Sequence, residues 1–125
     1  MPPRCPSLTV DAIVPMRENR ILLIRRANEP FRGSWALPGG FVDVGERVED
    51  ACLRELHEET GIVGEIRCLV GVFSDPNRDP RGHTVSVVYA VDRVGGEVQG
   101  ADDASEAAAV PFDDHLDLAF DHRHI

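Results

Sequence analysis

One stretch of this chain carries a strong helical pattern, and it limits the possible folds more than any other sequence feature. Over residues 47–60, Val48, Cys52 and Leu56 recur at helical spacing and predict a core-facing stripe. Gly61 follows directly, where a glycine favours the end of a helix. The other apolar segments are short and β-branched, as in strands. They are 8–14, 21–24, 66–73, 84–91 and 108–112. The sequence therefore predicts a mostly stranded domain with one central helix.

Two turn signals in the sequence indicate where strands end. The polar turn 17–20 separates segments 8–14 and 21–24, so we expect these two segments to form a hairpin. Gly95 and Gly96 end the strand at 84–91 before the last apolar segment begins.

Length, charge and cysteine usage exclude several classes of protein. The 125 residues suit one domain spanning 1–125, and no apolar run reaches the about 18 residues of a membrane span. A net charge of −9 disfavours binding to long nucleic acids. Cys5, Cys52 and Cys68 lack metal-binding spacing, so we expect reduced thiols and neither a disulfide framework nor a zinc site. We therefore expect a cytoplasmic protein without a membrane segment.

The helix concentrates negative charge. At about 100° per residue, Glu55, Glu58 and Glu59 fall within an arc of roughly 100°. Like charges at this spacing repel, so the cluster requires solvation or a counter-ion. Hard carboxylate oxygens favour Mg²⁺ or Mn²⁺ over zinc. Arg54 lies one turn before Glu58 and is expected to pair with it, leaving the other carboxylates for a metal. A solvated acidic face is the alternative.

The residues around this helix resemble the Nudix box over residues 40–62. The sequence there is GFVDVGERVEDACLRELHEETGI, with Gly40, Glu46, Arg54-Glu55-Leu56, Glu58-Glu59 and Gly61-Ile62 at the family's spacing. The resemblance implies a Nudix-like α/β/α sandwich of α+β class. In that fold a mixed, partly antiparallel β-sheet carries the box helix on one face and a shorter C-terminal helix on the other, for which Asp121 is a plausible N-cap.

The resemblance also implies a metal-assisted attack of water on a pyrophosphate, with Mg²⁺ as cofactor and Mn²⁺ as the alternative. Carried over by position, Glu55 and Glu59 are the principal metal ligands, Glu58 is a further ligand with a catalytic role, and Gly40 offers its carbonyl. Arg54 is expected to orient the carboxylates.

Glu46 is expected to tie the preceding loop to the helix. Direct metal contact and a first-turn acid favoured by the helix dipole are the alternatives.

Segments outside the box extend the resemblance. Residues 23–26 and 35–40 resemble the strand and loop that precede the box in this family, and the loop 73–83 resembles the corresponding segment of small ADP-ribose pyrophosphatases. The residues expected to bind a phosphate or terminal ribose are Arg25, Arg26, Arg78, Arg81 and His83. The alternative for the loop is a rigid surface turn in which its arginines pair with Asp75 and Asp79.

A further carboxylate from outside the box is expected from the stretch 100–107, which resembles the loop that supplies the added metal ligand or the base for water in small ADP-ribose hydrolases. Glu106 is the leading candidate, with Asp102 and Asp103 in reserve. A flexible acidic loop without catalytic contact is the alternative.

Aromatic and histidine residues receive secondary roles. Trp35 is expected to anchor the loop before the box, while Phe31, Phe73 and Tyr89 are weaker candidates for stacking on a base. The remaining expectation concerns four histidines that we place on the surface. They are His57, His115, His122 and His124.

The resulting hypothesis is a Mg²⁺-dependent ADP-ribose pyrophosphatase that gives AMP and ribose 5-phosphate and that forms a homodimer, as related enzymes frequently do. Two alternatives stay open. One is hydrolysis of a nucleoside triphosphate, including an oxidised one, or of another dinucleotide or nucleotide sugar. The other is a non-catalytic ADP-ribose sensor, which the intact Glu55, Glu58 and Glu59 disfavour because a sensor does not need metal ligands.

Overall fold

A computed structural model describes the backbone of residues 5–98, 104–111, 118 and 122, and the side chains of all of these except 104–106. The elements are β1 (Ser7–Ile13), β2 (Pro15–Met16), β3 (Arg20–Arg26), β4 (Trp35–Ala36), β5 (Gly39–Phe41), α1 (Val48–Thr60), β6 (Val63–Phe73), β7 (Thr84–Gly95) and β8 (Ala104–Pro111). Within the described ranges, no helix has the length and apolar character needed to cross a membrane.

The first sheet is mixed. Its strand order is β5-β1-β7-β6, with β1 antiparallel to β5 and parallel to β7, and β6 antiparallel to β7. The parallel pairing is long, running from Ser7 opposite Thr84 to Ile13 opposite Ala90. Because β5 pairs with β1 through Gly39 and Gly40, the start of the box is fixed to the centre of this sheet.

The second sheet is antiparallel and is built on β3. β8 pairs along the whole of β3, so β2 and β4 share the other edge of that strand. This corrects the predicted hairpin between segments 8–14 and 21–24. The turn falls where expected, but it joins the short strand β2 to β3, while β1 belongs to the first sheet. The chain changes sheets at Val14, whose carbonyl still accepts the N–H of Leu22.

α1 confirms the predicted helix and its core-facing stripe. Cys52 and Leu56 are buried and Val48 packs at the edge of the core, which lies between the helix and the first sheet. Gly61 ends the helix in the left-handed conformation at φ 80°, and its N–H donates to the carbonyl of His57. Only a residue without a β-carbon adopts this φ at little cost, so the glycine fixes the helix end.

Several sequence expectations fall outside the described residues. They are the C-terminal helix, its N-cap Asp121, the acidic residues Asp102 and Asp103, and the surface placement of His115 and His124. His57 is exposed, as predicted. Tyr89 is 7% exposed and donates its hydroxyl hydrogen to Glu49 at 2.7 Å, so the expectation that it stacks on a base is wrong.

Candidate active site

A cavity of about 350 Å³ opens between α1 and the two sheets. Its walls include Asp11 of β1, Arg26 of β3 and Glu59 of α1, so each layer of the fold contributes a charged side chain. Since the walls carry both carboxylates and guanidinium groups, the cavity suits a ligand that has anionic groups and can bind a cation at the same time.

Glu59 is the most deeply buried carboxylate of the box. Its side chain is 4% exposed, and one carboxylate oxygen accepts the N–H of Gly39 at 2.8 Å. A buried carboxylate is costly unless it is hydrogen-bonded or paired. The contact with Gly39 therefore fixes this oxygen and ties α1 to the start of β5.

Glu55 lies against the backbone of Gly40. A β-carbon built on Gly40 would meet the carboxyl atoms of Glu55 at 2.6–2.9 Å, which is closer than side chains pack. Glycine at this position thus lets the backbone approach the carboxylate directly. Glu55, Glu59 and Gly40 all line the cavity, which brings together three of the four predicted metal-binding residues.

Arg54 joins the preceding loop to the helix. Its Nε donates to Glu46 at 2.7 Å, one terminal nitrogen to Glu55 at 2.8 Å and to Glu58 at 3.2 Å, and the other to the carbonyl of Phe41 at 3.2 Å. The expected pairing with Glu58 is present, but the contact with Glu55 is shorter. Arg54 therefore pairs with Glu55 as well as with Glu58, and metal binding by Glu55 stays a prediction.

The same contacts shift pKa values. Hydrogen bonds from the Arg54 side chain and from the backbone of Asp43 hold the pKa of Glu46 below its usual value. The bond to Glu46, with the contact to Glu55, raises the pKa of Arg54 above its usual value despite partial burial. Glu46 thus ties the loop to the helix through Arg54, as the sequence predicted.

Whether these residues suit a divalent cation depends on their donor set. Among the described residues, no three acidic, histidine or cysteine side chains are already arranged to hold a metal ion. Arg54 donates to both Glu55 and Glu58. The donors beside the cavity are nevertheless hard oxygen atoms. They belong to the carboxylates of Glu55 and Glu59 and to the backbone of Gly40, which lies directly against Glu55. Such donors fit Mg²⁺ or Mn²⁺. Glu58 is more exposed and does not line the cavity.

The predicted substrate-binding residues divide into two groups. Arg26, Arg78 and Arg81 line the cavity that contains Glu55 and Glu59. Arg26 is held by a 2.6 Å bond from its Nε to the carbonyl of Pro30, and Arg78 donates to the hydroxyl of Thr84 at 2.8 Å. Bonds of this kind hold a guanidinium in a defined direction.

The other two lie elsewhere. Arg25 is outside the lining of this cavity, and its guanidinium lies 4.4 Å from the centre of the Trp35 ring. His83 lines an adjacent cavity of about 570 Å³, and its Nε2 lies 3.0 Å from the carbonyl of Ser74.

The loop after β6 is held by hydrogen bonds within the loop, and the predicted ion pair between Arg81 and Asp79 is present. Asp79 is 5% exposed and binds the Arg81 guanidinium at 2.8 Å and the Arg81 backbone N–H at 2.9 Å. Burial raises the pKa of Asp79, but the contacts with Arg81 and the charge of Arg78 outweigh it and leave the pKa below its usual value. Asp75 accepts the backbone N–H of Asn77 at 2.8 Å. Arg81 thus both pairs with Asp79 and faces the cavity.

The sequence did not indicate two buried titratable residues of the site. Asp11 and His122 line the cavity and are 7% and 6% exposed. The expectation that His122 lies on the surface is wrong, since its Nδ1 accepts the N–H of Leu37 at 3.0 Å and its Nε2 lies 3.5 Å from Asp11. Asp11 also accepts a short hydrogen bond from the buried hydroxyl of Ser86.

One signal could have indicated Asp11, because it is the sole charged residue in the mostly apolar segment 8–14. No comparable signal marks His122.

The backbone of Glu106 lies in β8 opposite Arg25 of β3. Its side chain is outside the described set, so its predicted role stays a prediction.

Comparison with known proteins identifies the family. A family model described as the NUDIX domain matches residues 6–125. The chain belongs to the Nudix family. The resemblance predicted from residues 40–62 is therefore confirmed.

One curated relative of this Nudix chain is an ADP-ribose pyrophosphatase from Methanocaldococcus jannaschii. The two are 50% identical over 120 residues, which are 96% of this chain and 70% of the relative. This chain covers 50% and 62% of the length of the next two curated relatives.

Two solved Nudix structures are also similar. The NUDIX domain of Shewanella oneidensis NrtR, complexed with ADP ribose, matches with a TM-score of 0.83 at 33% identity over 97% of this chain and 84% of that one. A bifunctional NMN adenylyltransferase/ADP ribose pyrophosphatase from Francisella tularensis, complexed with AMP and a manganese ion, gives 0.85 at 32% identity over 98% of this chain and 40% of that one. The predicted Nudix-like α+β fold is confirmed. Nudix hydrolases use divalent metal ions, so the coarser part of the metal prediction holds.

Proposed function

We propose that this Nudix hydrolase cleaves the pyrophosphate bond of ADP-ribose and releases AMP and ribose 5-phosphate. One observation carries the proposal. Glu55 and Glu59 line the same cavity as Arg26 and Arg78. The negative charge of a pyrophosphate must be offset before water attacks phosphorus. The arginines offset part of this charge directly, and the carboxylates can hold a metal cation that offsets the rest.

The arginines bind the phosphate groups in this proposal. Arg26 and Arg78 are held by the carbonyl of Pro30 and the hydroxyl of Thr84, so little side-chain freedom is lost when a ligand arrives. Arg81 is fixed by the buried carboxylate of Asp79 and faces the same cavity. Guanidinium groups suit this task because they form paired hydrogen bonds to phosphate oxygens.

The carboxylates and the carbonyl of Gly40 would hold the metal. We propose Mg²⁺ as the resident ion, with Glu55 and Glu59 as its principal ligands and Glu58 as a further one. When bound, Mg²⁺ neutralises phosphate charge and makes a coordinated water more acidic. The N–H of Gly39 keeps one oxygen of Glu59 in a fixed direction, and Arg54 does the same for Glu55.

Proton removal from water needs a base within hydrogen-bond reach when substrate is bound. We propose Glu106 for this role, with Glu58 assisting from α1. The support for Glu106 is the resemblance of the stretch 100–107 to the loop that supplies such a carboxylate in small ADP-ribose hydrolases.

Product analysis tests the proposed function. ADP-ribose, NADH, a dinucleoside polyphosphate, dGTP and 8-oxo-dGTP are each incubated with Mg²⁺, Mn²⁺ or a chelator, using the wild type, Glu59→Gln and Glu65→Gln. Glu65 is an exposed glutamate on β6 and serves as the matched control. We expect ADP-ribose to be cleaved fastest, to AMP and ribose 5-phosphate, with kcat lowered about 100-fold or more by Glu59→Gln alone.

Other outcomes would replace the proposal. Fastest cleavage of a triphosphate to a monophosphate and pyrophosphate would assign the protein to nucleoside triphosphates. Binding of ADP-ribose without turnover under any metal condition would make it a sensor.

We further propose a homodimer in the cytoplasm. Four apolar side chains are exposed on β6, which is an edge strand among the described strands: Val63 at 44%, Leu69 at 55%, Val70 at 43% and Val72 at 57%. Apolar edges of this kind favour association with another chain. The cytoplasmic location is supported by the three free cysteines, which suit a reducing compartment.

Light scattering during size-exclusion chromatography tests the dimer. We expect a dimer mass for the wild type and for Val44→Asp, a change in a fully exposed loop valine. The double substitution Leu69→Asp with Val72→Asp should give a monomer mass. A monomeric wild type would rule out the dimer.

A further inference from the structure

His122 connects a distant segment to the loop before the box. It lies 85 positions from Leu37 in the chain, yet its Nδ1 accepts the Leu37 N–H at 3.0 Å. Both residues are buried, with exposed fractions of 6% and 5%. A buried backbone N–H requires a partner, and the imidazole of His122 supplies it here.

The direction of this bond fixes the tautomer of the ring. A backbone N–H donates only to a nitrogen that has a lone pair, so Nδ1 carries no proton. The ring proton of the neutral imidazole is then on Nε2, which lies 3.5 Å from the Asp11 carboxylate. The other oxygen of Asp11 accepts the hydroxyl of Ser86. His122 is therefore oriented from two sides.

The loop held by His122 leads directly to Glu59. Pro38 has no N–H, so the backbone N–H groups on either side of it, at Leu37 and Gly39, are the donors of this turn. Leu37 donates to His122, and Gly39 donates to Glu59 at 2.8 Å. The carbonyl of Pro38 accepts the N–H of Ala12 from β1. A loop fixed at three consecutive residues has little freedom to rotate the Gly39 N–H away from Glu59.

We propose that His122 is a positioning residue for the pyrophosphatase site. It holds Leu37 so that the N–H of Gly39 aims at Glu59 and keeps that carboxylate in the direction needed for metal binding. The expected effect on kcat rests on the proposed function. The hydrogen bonds that join His122 to Leu37 and Gly39 to Glu59 do not depend on it. His122 itself acts through the loop and touches no reacting atom in this role.

Two isosteric substitutions separate the ring nitrogens. In His122→Asn the side-chain oxygen takes the place of Nδ1 and still accepts the Leu37 N–H. In His122→Gln the amide reaches the place of Nε2 and no longer matches the Nδ1 position. His122→Ala removes both, and His57→Asn, on the exposed face of α1, is the control.

Kinetics of ADP-ribose hydrolysis give the first readout. We expect His122→Ala and His122→Gln to lower kcat about 10-fold or more with KM changed less than about 3-fold, because the substrate-binding arginines are untouched. His122→Asn should retain kcat within about 3-fold of the wild type. Equal loss in all three His122 variants, or wild-type kcat in His122→Ala, would overturn the positioning role.

Two measurements do not depend on turnover. Hydrogen exchange should accelerate at the Leu37 amide in His122→Ala and His122→Gln but remain slow in His122→Asn. A long-range ¹H–¹⁵N spectrum of the folded wild type should show the His122 proton on Nε2. A proton on Nδ1, or an unchanged exchange rate of the Leu37 amide in His122→Ala, would refute the hydrogen bond between Leu37 and His122. This conclusion does not depend on whether the wild type hydrolyses ADP-ribose. If the wild type does not hydrolyse ADP-ribose although the hydrogen bond between Leu37 and His122 is observed, the proposed function alone is refuted.

Discussion

At Gly40 the backbone passes directly against the carboxylate of Glu55. A methyl group at Gly40 would overlap atoms at the end of a flexible side chain, so the fold can accommodate it by moving that carboxylate. We expect Gly40→Ala to keep the midpoint of thermal unfolding within a few degrees while lowering kcat for ADP-ribose by about 100-fold, since a small displacement of a site group is costly. Circular dichroism and product analysis measure the two quantities.

The matched control is Gly71→Ala on β6, where a β-carbon would lie 3.5 Å from Phe73 in ordinary contact. This variant should keep both activity and stability. Full activity in Gly40→Ala would show that the contact between Gly40 and Glu55 has no role in hydrolysis.

The three thiols should differ in reactivity. Burial, with a smaller contribution from the Asp11 charge, raises the pKa of Cys52 to about 12, whereas Cys5 and Cys68 are exposed. A thiol reacts as its thiolate, so we expect iodoacetamide at pH 8 to label two cysteines in the native protein and all three in denaturant. Mass spectrometry of the peptides counts the labels. Labelling of Cys52 at the rate of the other two in the native protein would contradict its placement in the core.

At this scale the sequence predicted residues whose roles depend on spacing within one helix. Glu55 and Glu59 lie in the cavity because a 3.6-residue period places them on one side of α1, and this period is readable from the letters alone. Asp11 and His122 could not be found in this way. Their proximity depends on how β1 and the C-terminal segment come together, and no local pattern encodes it.

At the scale of elements, α1 ends where Gly61 adopts φ 80°. The left-handed conformation costs an L-residue with a β-carbon about 1 kcal/mol or more of free energy, and the cost is smaller for asparagine than for alanine. We therefore expect Gly61→Ala to reduce the free energy of unfolding by about 1 kcal/mol, with Gly61→Asn between it and the wild type. Urea unfolding of the three proteins measures this order. A Gly61→Ala protein as stable as the wild type would argue against the left-handed helix end.

The hairpin shows why element boundaries were predicted better than pairings. The turn at 17–20 was located correctly because polar residues between apolar runs mark a reversal of the chain. The strand partners of β1 were not predicted, because β1 pairs with β7 and β5, whose residues are far from β1 in the sequence. Val10, Asp11 and Ala12 are consecutive and all buried, so no alternation along β1 indicates which sheet the strand joins.

At the scale of the whole molecule, two buried groups link stability to alkaline pH. Cys52 keeps its proton to about pH 12 in the folded chain, whereas the unfolded thiol loses it near 9. Burial and the nearby Glu49 raise the pKa of Tyr89 to about 12 as well. Between these values the unfolded state binds fewer protons, so the free energy of unfolding falls as pH rises.

For Cys52 alone the expected loss between pH 9 and 10.5 is about 2 kcal/mol. Urea titrations at the two pH values measure the difference, and Cys52→Ser should have a smaller one because its hydroxyl does not ionise in this range. A wild type equally stable at both pH values would show that Cys52 ionises as readily in the folded chain as in the unfolded one.

The parallel pairing of β1 with β7 also has a consequence for synthesis of the chain. Asp11 and its partner Ser86 are 75 positions apart, so a ribosome must add most of the chain before β1 gains its central neighbour. Until then the apolar face of β1, with Val10 and Ala12, lacks the core neighbours Tyr89 and Val91 that β7 supplies. Closing so long a loop is slow compared with forming a helix. The nascent chain therefore carries an unprotected apolar strand during elongation, and this is the stage at which a chaperone would bind it.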